Sequence, residues 1–313
     1  MSGVQFDPVR GTRPADPPGP YPGSLVTRGG ASLYLRRTPV RDDRAEPALY
    51  LHGLGGSAHN WTDLAGRLAD RLAGEAVDLP GFGHSPPAGA YSVASVAARM
   101  VGWIGDGGRG PVHLVGNSFG GAVAVRVAAL RPDLVRTLTL ISPAMPFLDA
   151  RRTVHGPMLP LLALPGASRI AGRQLARTAP EDLTRQVLEA CFGDPGRLTP
   201  QRVAEAVAEV GGRYREPYYP AVYVRTLRGL VWAFLRAYLP GPGSLWAMAR
   251  RLTVPTLVIG GTLDRIIDVR VAPRVADAVP GARLSMLEGV GHVAMMEVPG
   301  RVAREIRRFL AAR

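Results

Sequence analysis

Short apolar runs recur along the chain, and most are followed by a stretch whose apolar residues fall three or four apart. The runs are "PALYLHG", "EAVDLPG", "PVHLVGN", "LVRTLTLIS", "PTLVIGG" and "ARLSMLEG". They are too short for helices, and their continuous hydrophobicity predicts strands buried on both faces. Helical spacing is found over about 61–72, 92–104, 270–279 and 299–312, and again in "GGAVAVRVAALRP" directly after "PVHLVGN". Strands alternating with amphipathic helices predict a mostly parallel sheet covered on both sides. Ahead of this alternation, "SLVTRGGASLYLRR" predicts two strands joined at a Gly-Gly turn.

The rhythm breaks between Pro143 and Arg251. Here the pattern gives only helices: "PEDLTRQVLEACF" and "TPQRVAEAVAEV", each opened by a proline suited to a first turn, and the long apolar "VYVRTLRGLVWAFLRAYL". Thr199 is placed to cap the second of these. A helical block set between two sheet strands predicts a separate layer, a cap over residues 143–251, with the core formed by 24–142 and 252–313. Residues 1–23 ("RPADPPGPYPG" among them) lack periodic apolar positions and predict a flexible Pro/Gly-rich arm. There is no internal repeat.

Composition changes this picture little. The net charge of +13 suggests a polyanionic partner, yet all 38 basic residues are arginine and they are scattered, without a basic cluster interleaved with aromatics. No nucleic-acid partner is expected, while peripheral contact with a membrane surface stays open. Cys191, the one cysteine, rules out an intrachain disulfide and reads as a small buried hydrophobe. No apolar stretch approaches the roughly 18 residues that a membrane span needs, and no basic-then-apolar leader opens the chain. The expected location is cytoplasmic.

The chemistry gathers where the apolar runs end, since ligands of such sheets bind at the carboxyl ends of the strands. In "VHLVGNSFGGAV", Gly116, Ser118 and Gly120 form G-x-S-x-G, the pattern of a serine held on a sharp strand-to-helix turn. A serine hydroxyl needs an adjacent base to act as a nucleophile, and the base needs an acid to fix its tautomer. His292 follows the last strand and Asp264 follows "PTLVIGG", so three distant residues can converge. Asp268, one helical turn beyond Asp264, is an alternative acid, and Asp149 a third. His113 reads as a buried strand residue, His59 and His155 as loop residues, and His84 as part of a turn. Backbone N–H groups of Phe119 and Leu54 would hold a developing oxyanion, because the loop "HGLGGS", with Gly53 beside Leu54, leaves its amides exposed.

With "HGLGGS", "DLPGFGHS", "GNSFGG", "GGTLDRII" and "GVGHVAMMEVP" in this order, the chain resembles the α/β-hydrolase superfamily from about Ser24 onward. The resemblance implies an α/β fold with a mostly parallel eight-stranded sheet, a helical cap after strand 6, and no cofactor or metal. One departure is Asp268, where relatives usually carry proline. A serine nucleophile counts against epoxide opening and dehalogenation, whose enzymes use aspartate. The leading expectation is a serine hydrolase cleaving apolar carboxylic esters of a small-molecule substrate, with "PMLPLLALP" and "LVWAFLRAYL" available to line a pocket. The alternatives are a carbon–carbon hydrolase of ring-cleavage products, a cofactor-free haloperoxidase or perhydrolase, a thioesterase or acyltransferase, and a small-molecule receptor. Against the first of these, "HGLGGS" lacks the Ser-Gly-Pro-Gly type of loop. The sequence leaves the oligomeric state open.

Overall fold

A computed structural model describes residues 19–147, 179–214, 216–239, 241 and 243–312. Asp149, His155 and the apolar stretch "PMLPLLALP" lie outside the described residues, as does most of the expected N-terminal arm.

Eight strands form one sheet: β1 (Gly23–Arg28), β2 (Ala31–Arg37), β3 (Glu46–Leu51), β4 (Leu72–Val77), β5 (Val112–Asn117), β6 (Val135–Ile141), β7 (Thr256–Gly261) and β8 (Arg283–Leu287). Their order is β1-β2-β4-β3-β5-β6-β7-β8, parallel except where β2 pairs with β1 and β4. The hairpin turns at Gly29 and Gly30, both with positive φ (52° and 70°), the backbone that glycine tolerates without strain. All six residues of β5 and all six of β7 are buried, which explains why those runs are largely apolar rather than alternating.

Among the described residues the helices are α1 (Thr62–Leu68), α2 (Val93–Gly105), α3 (Phe119–Leu130), α4 (Pro180–Cys191), α5 (Pro200–Tyr214), α6 (Tyr219–Arg236), α7 (Leu245–Ala249), α8 (Val271–Ala278), α9 (Ala294–Glu297) and α10 (Pro299–Ala311). One layer, with α2, α3 and α8, buries Met100, Trp103, Val123 and Val275 against the sheet. The other, with α1 and α10, buries Leu64, Leu68, Ile306 and Phe309 on the opposite face. In α10 the apolar Val302, Ala303, Ile306 and Phe309 recur at helical spacing, and burial of that stripe rather than propensity holds the helix.

Helices α4 to α7 lie between β6 and β7 in the chain, where the expected helical block falls. α6 turns Tyr219, Val222, Val224 and Val231 inward, but leaves Trp232 and Leu235 exposed, with Tyr238 and Leu239 beyond it. Only part of "LVWAFLRAYL" is therefore available to line an interior. The end of the expected arm is packed: the Tyr21 carbonyl accepts from Arg36 Nη1 at 2.7 Å, and the Tyr21 hydroxyl lies against Gly66.

Candidate active site

From β3 the chain passes outward to β4 and returns to β5 on β3's other side, so β3 and β5 are neighbours with connections leaving in opposite directions. Their carboxyl ends open the crevice typical of doubly wound sheets. "HGLGGS" leaves β3 there, and Ser118 leaves β5 beside it.

Ser118 sits between Asn117, the last residue of β5, and Phe119, the first of α3, with φ 52° and ψ −117°. A non-glycine residue in this region is strained by roughly 1–3 kcal/mol and needs its surroundings to enforce it. They do so through backbone bonds: Ser118 N–H donates to the Ile141 carbonyl at 3.1 Å, and the Ser118 carbonyl accepts from Ala122 and Ala144. The glycines make the turn passable. A Cβ on Gly116 would stand 2.5 Å from the Gly120 carbonyl oxygen, and one on Gly120 would collide with the carbonyls of Leu51 and His52. Phe119 opens α3, so its N–H is among the first-turn amides that have no acceptor within the helix.

The crevice's other wall is a tight turn. Gly56 N–H donates to the Gly53 carbonyl at 3.0 Å, and Gly55 takes φ 75°. A turn closed in this way leaves the amides of its central residues, Leu54 and Gly55, outside its own hydrogen bond. Gly53 lies directly against the serine: a Cβ there would be 3.1 Å from the Ser118 Cβ. Buried His52 braces the turn. Its Nε2 accepts the Leu79 N–H at 2.8 Å, which leaves Nδ1 protonated to donate to the Gly53 carbonyl at 2.7 Å. Burial pushes the His52 pKa down to about 3, so the ring is neutral.

His292 and Asp264 meet. His292 Nδ1 lies 2.9 Å from Asp264 Oδ2, with both side chains about 5% exposed or less. Asp264 is further held by the N–H groups of Ile266 and Ile267, both donating to Oδ1 at 2.9 Å. The alternative acid, Asp268, takes a different partner, the Arg270 guanidinium, with Nη2 to Oδ2 at 2.5 Å. The His292 N–H donates to the Cys191 carbonyl at 2.7 Å, and Asn117 Nδ2 donates to the His292 carbonyl at 3.1 Å and to the Ile141 carbonyl at 3.0 Å. The serine-bearing strand end and the histidine loop are thus joined by Asn117, the residue before Ser118.

Two anchors of this region have no counterpart in the motif reading. The Glu297 carboxylate accepts from Gly291 N–H (2.7 Å), Gly193 N–H (3.0 Å) and Asp194 N–H (3.1 Å), and pairs with Arg197 at 3.0 Å. It ties the loop before His292 to the segment after α4. Arg213 of α5 donates from Nη1 to the carbonyls of Gly55 (2.6 Å) and Gly56 (3.2 Å). Glu297 stands within the quoted "GVGHVAMMEVP", where its presence was visible but its partners were not; Arg213 carries no local signal at all. Cys191 keeps its thiol protonated, its pKa raised to about 12 by burial and then by nearby Asp264. Among the described residues no cluster of His, Cys, Asp and Glu could hold a metal ion, and no helix is long and apolar enough to cross a membrane.

The chain is similar in sequence and in fold to known proteins. Lipase LipV of Mycobacterium tuberculosis is 29% identical over 85% of this chain and 93% of its own length. Monoacylglycerol lipase ABHD6 of Homo sapiens is 26% identical over 84% of this chain and 75% of its own. A thermophilic esterase from Thermogutta terrifontis has a similar fold, with TM-score 0.70, 21% identity, and coverage of 93% of this chain and 98% of that one. The sequence pattern of the Alpha/beta hydrolase family matches residues 48–305. Since that match spans most of its length, the chain belongs to the alpha/beta hydrolase family.

Proposed function

We propose that the protein is a serine hydrolase that cleaves carboxylic esters of apolar substrates through an acyl-enzyme. The observation that carries this reading is the buried 2.9 Å contact of His292 Nδ1 with Asp264, on a loop bonded to the strand end that bears Ser118. With Nδ1–H donating to the carboxylate, Nε2 is left as the base. Ser118 Oγ attacks the ester carbonyl carbon and passes its proton to Nε2. The carbonyl oxygen becomes an oxyanion held by the N–H groups of Leu54 and Phe119. The intermediate collapses, His292 returns the proton to the leaving alcohol, and a water activated by the same ring releases the acid.

The lipase names of two relatives support an ester substrate. The helices between β6 and β7 form, on this reading, the cap of residues 143–251 that shapes the acyl pocket. The carbon–carbon reading calls on cap arginines to bind a substrate carboxylate. Two of them are engaged elsewhere, Arg202 with Asp63 and Glu205, and Arg213 with loop carbonyls and Glu209.

The test uses a fluorophosphonate probe and p-nitrophenyl esters of graded chain length on wild type and Ser118→Ala. Wild type should label and turn over, and Ser118→Ala should do neither, with kcat lower on the order of a millionfold. Equal turnover by the two proteins would overturn the assignment.

A further inference from the structure

Arg202, Glu205, Glu209 and Arg213 are spaced three, four and four apart, so they share one face of α5. That face meets the β-sheet domain through charged groups. Arg202 Nη2 reaches Asp63 of α1 at 2.5 Å, and Glu205 reaches His59 Nε2 at 3.2 Å. Glu209 reaches Arg36 of β2 at 3.5 Å, and His84 Nε2 at 3.9 Å. Arg213 ends the series differently, because its partners in the domain are backbone carbonyls, those of Gly55 and Gly56.

Arg213 is only 5% exposed, and placing a guanidinium so deep is costly unless its donors are used. One nitrogen, Nη1, spans two successive carbonyls, and Nη2 lies 3.4 Å from Glu209 Oε1. Burial raises the Glu209 pKa, but Arg213, Ser57 and Arg36 outweigh it and hold the carboxyl below the usual glutamate range, so the neighbouring charge balances the cation. Tyr219 also hydrogen-bonds Arg213, and the Tyr223 ring covers Gly55, where a Cβ would be 3.2 Å from Cε2. The Gly53–Gly56 turn is thus held from the sheet side by His52 and from the helical layer by Arg213.

We infer that Arg213 is a positioning residue: it fixes the Gly53–Gly56 turn so that the Leu54 N–H stays aimed at the oxygen that gains charge. Its chemical consequence rests on the ester-hydrolase reading above. A donor oriented in advance does not reorganise during reaction, and that is where its catalytic value lies. A lysine could reach one carbonyl as a point charge but would lack the planar fork that serves the carbonyls and Glu209 together.

The full chain is compared as wild type, Arg213→Met and Arg213→Lys by hydrogen exchange over residues 52–58, thermal melting, and kcat and KM on a p-nitrophenyl ester. In Arg213→Met the turn amides should exchange about tenfold faster, as expected when a charge-assisted bond that suppresses local opening is lost. Its kcat should fall about ten- to a hundredfold, the scale of a small misplacement, with KM changed less than about threefold. Arg213→Lys should recover part of both effects, and the pH profile should keep its shape. Unchanged exchange in a folded Arg213→Met protein would overturn the inference, as would faster exchange with unchanged kcat or a loss confined to KM. Should Arg213→Met fail to fold, Arg213→Gln is read by the same criteria. A wild type that neither labels nor hydrolyses any ester removes the ester reading, while the exchange comparison still decides whether Arg213 holds the turn.

Discussion

The side-chain amide of Asn117 donates to the backbone carbonyl of His292 across 175 positions of sequence, at 3.1 Å. The same amide reaches the Ile141 carbonyl, so one buried side chain joins the ends of β5 and β6 to the loop that carries the imidazole. Its removal would leave the buried His292 carbonyl without a donor, while the Ile141 carbonyl keeps the Ser118 N–H. Asn117→Ala should therefore lower stability by about 1–3 kcal/mol in urea unfolding. It should also reduce ester turnover by more than that stability loss explains, because the His292 loop is released. Unfolding curves that superimpose on wild type would show the bond to be dispensable.

The two candidate acids, Asp264 and Asp268, have separate partners, and this separates their variants. Asp264→Asn should lower kcat by about 10⁴-fold, since an amide in that position favours the wrong imidazole tautomer. Asp268→Asn loosens Arg270 instead and should leave kcat within about tenfold of wild type. The reverse ranking in steady-state kinetics would make Asp268 the orienting acid.

Gly120 has no room for even one methyl group, because the atoms it would meet are the backbone carbonyls of Leu51, at the end of β3, and of His52, just beyond it. Those atoms cannot swing aside as a side chain could. Gly120→Ala should cost more than about 3 kcal/mol and sharply reduce soluble yield. Gly211→Ala, a helical glycine with open space around it, is the matched control and should be neutral or slightly stabilising. Equal melting temperatures for the two variants would contradict the close approach of α3 to β3.

His52 ties stability to pH. Its pKa is about 3 in the folded chain against 6.5 as the ordinary value, so below pH 6.5 the unfolded state binds the extra proton. Stability must then rise with pH between about 3 and 6.5 and level off above. The contribution lost between pH 6.5 and 4.5 is roughly 2 kcal/mol. Buried His59 and His113, whose pKa values burial also lowers, add to the slope in the same direction. The comparison of wild type with His52→Gln by urea unfolding over this range isolates the His52 part. Parallel slopes in the two proteins would show that His52 does not titrate as its burial requires.

The strands, the flanking helices and the sharp turn at Ser118 were legible in the sequence because each depends on a local demand. A strand buried on both faces must be largely apolar, as β5 and β7 are, and a sharp turn at Ser118 must be flanked by residues without side chains. The helices of residues 180–191, 200–214 and 219–236 were legible for the same reason, through their prolines and their apolar spacing. Hydrophobic period says which side of an element is covered. It does not say which residue lies opposite.

That second kind of information came only from the tertiary structure. Asp264 and Asp268 are four residues apart, equally acidic and both buried, and only the path of the chain after β7 puts the first against His292 and the second against Arg270. Arg213 is one of 38 chemically identical side chains, distinguished solely by α5 lying over the Gly53–Gly56 turn. A hydrogen bond requires its partners within about 3 Å, and for residues far apart in sequence that distance is set by how whole elements pack.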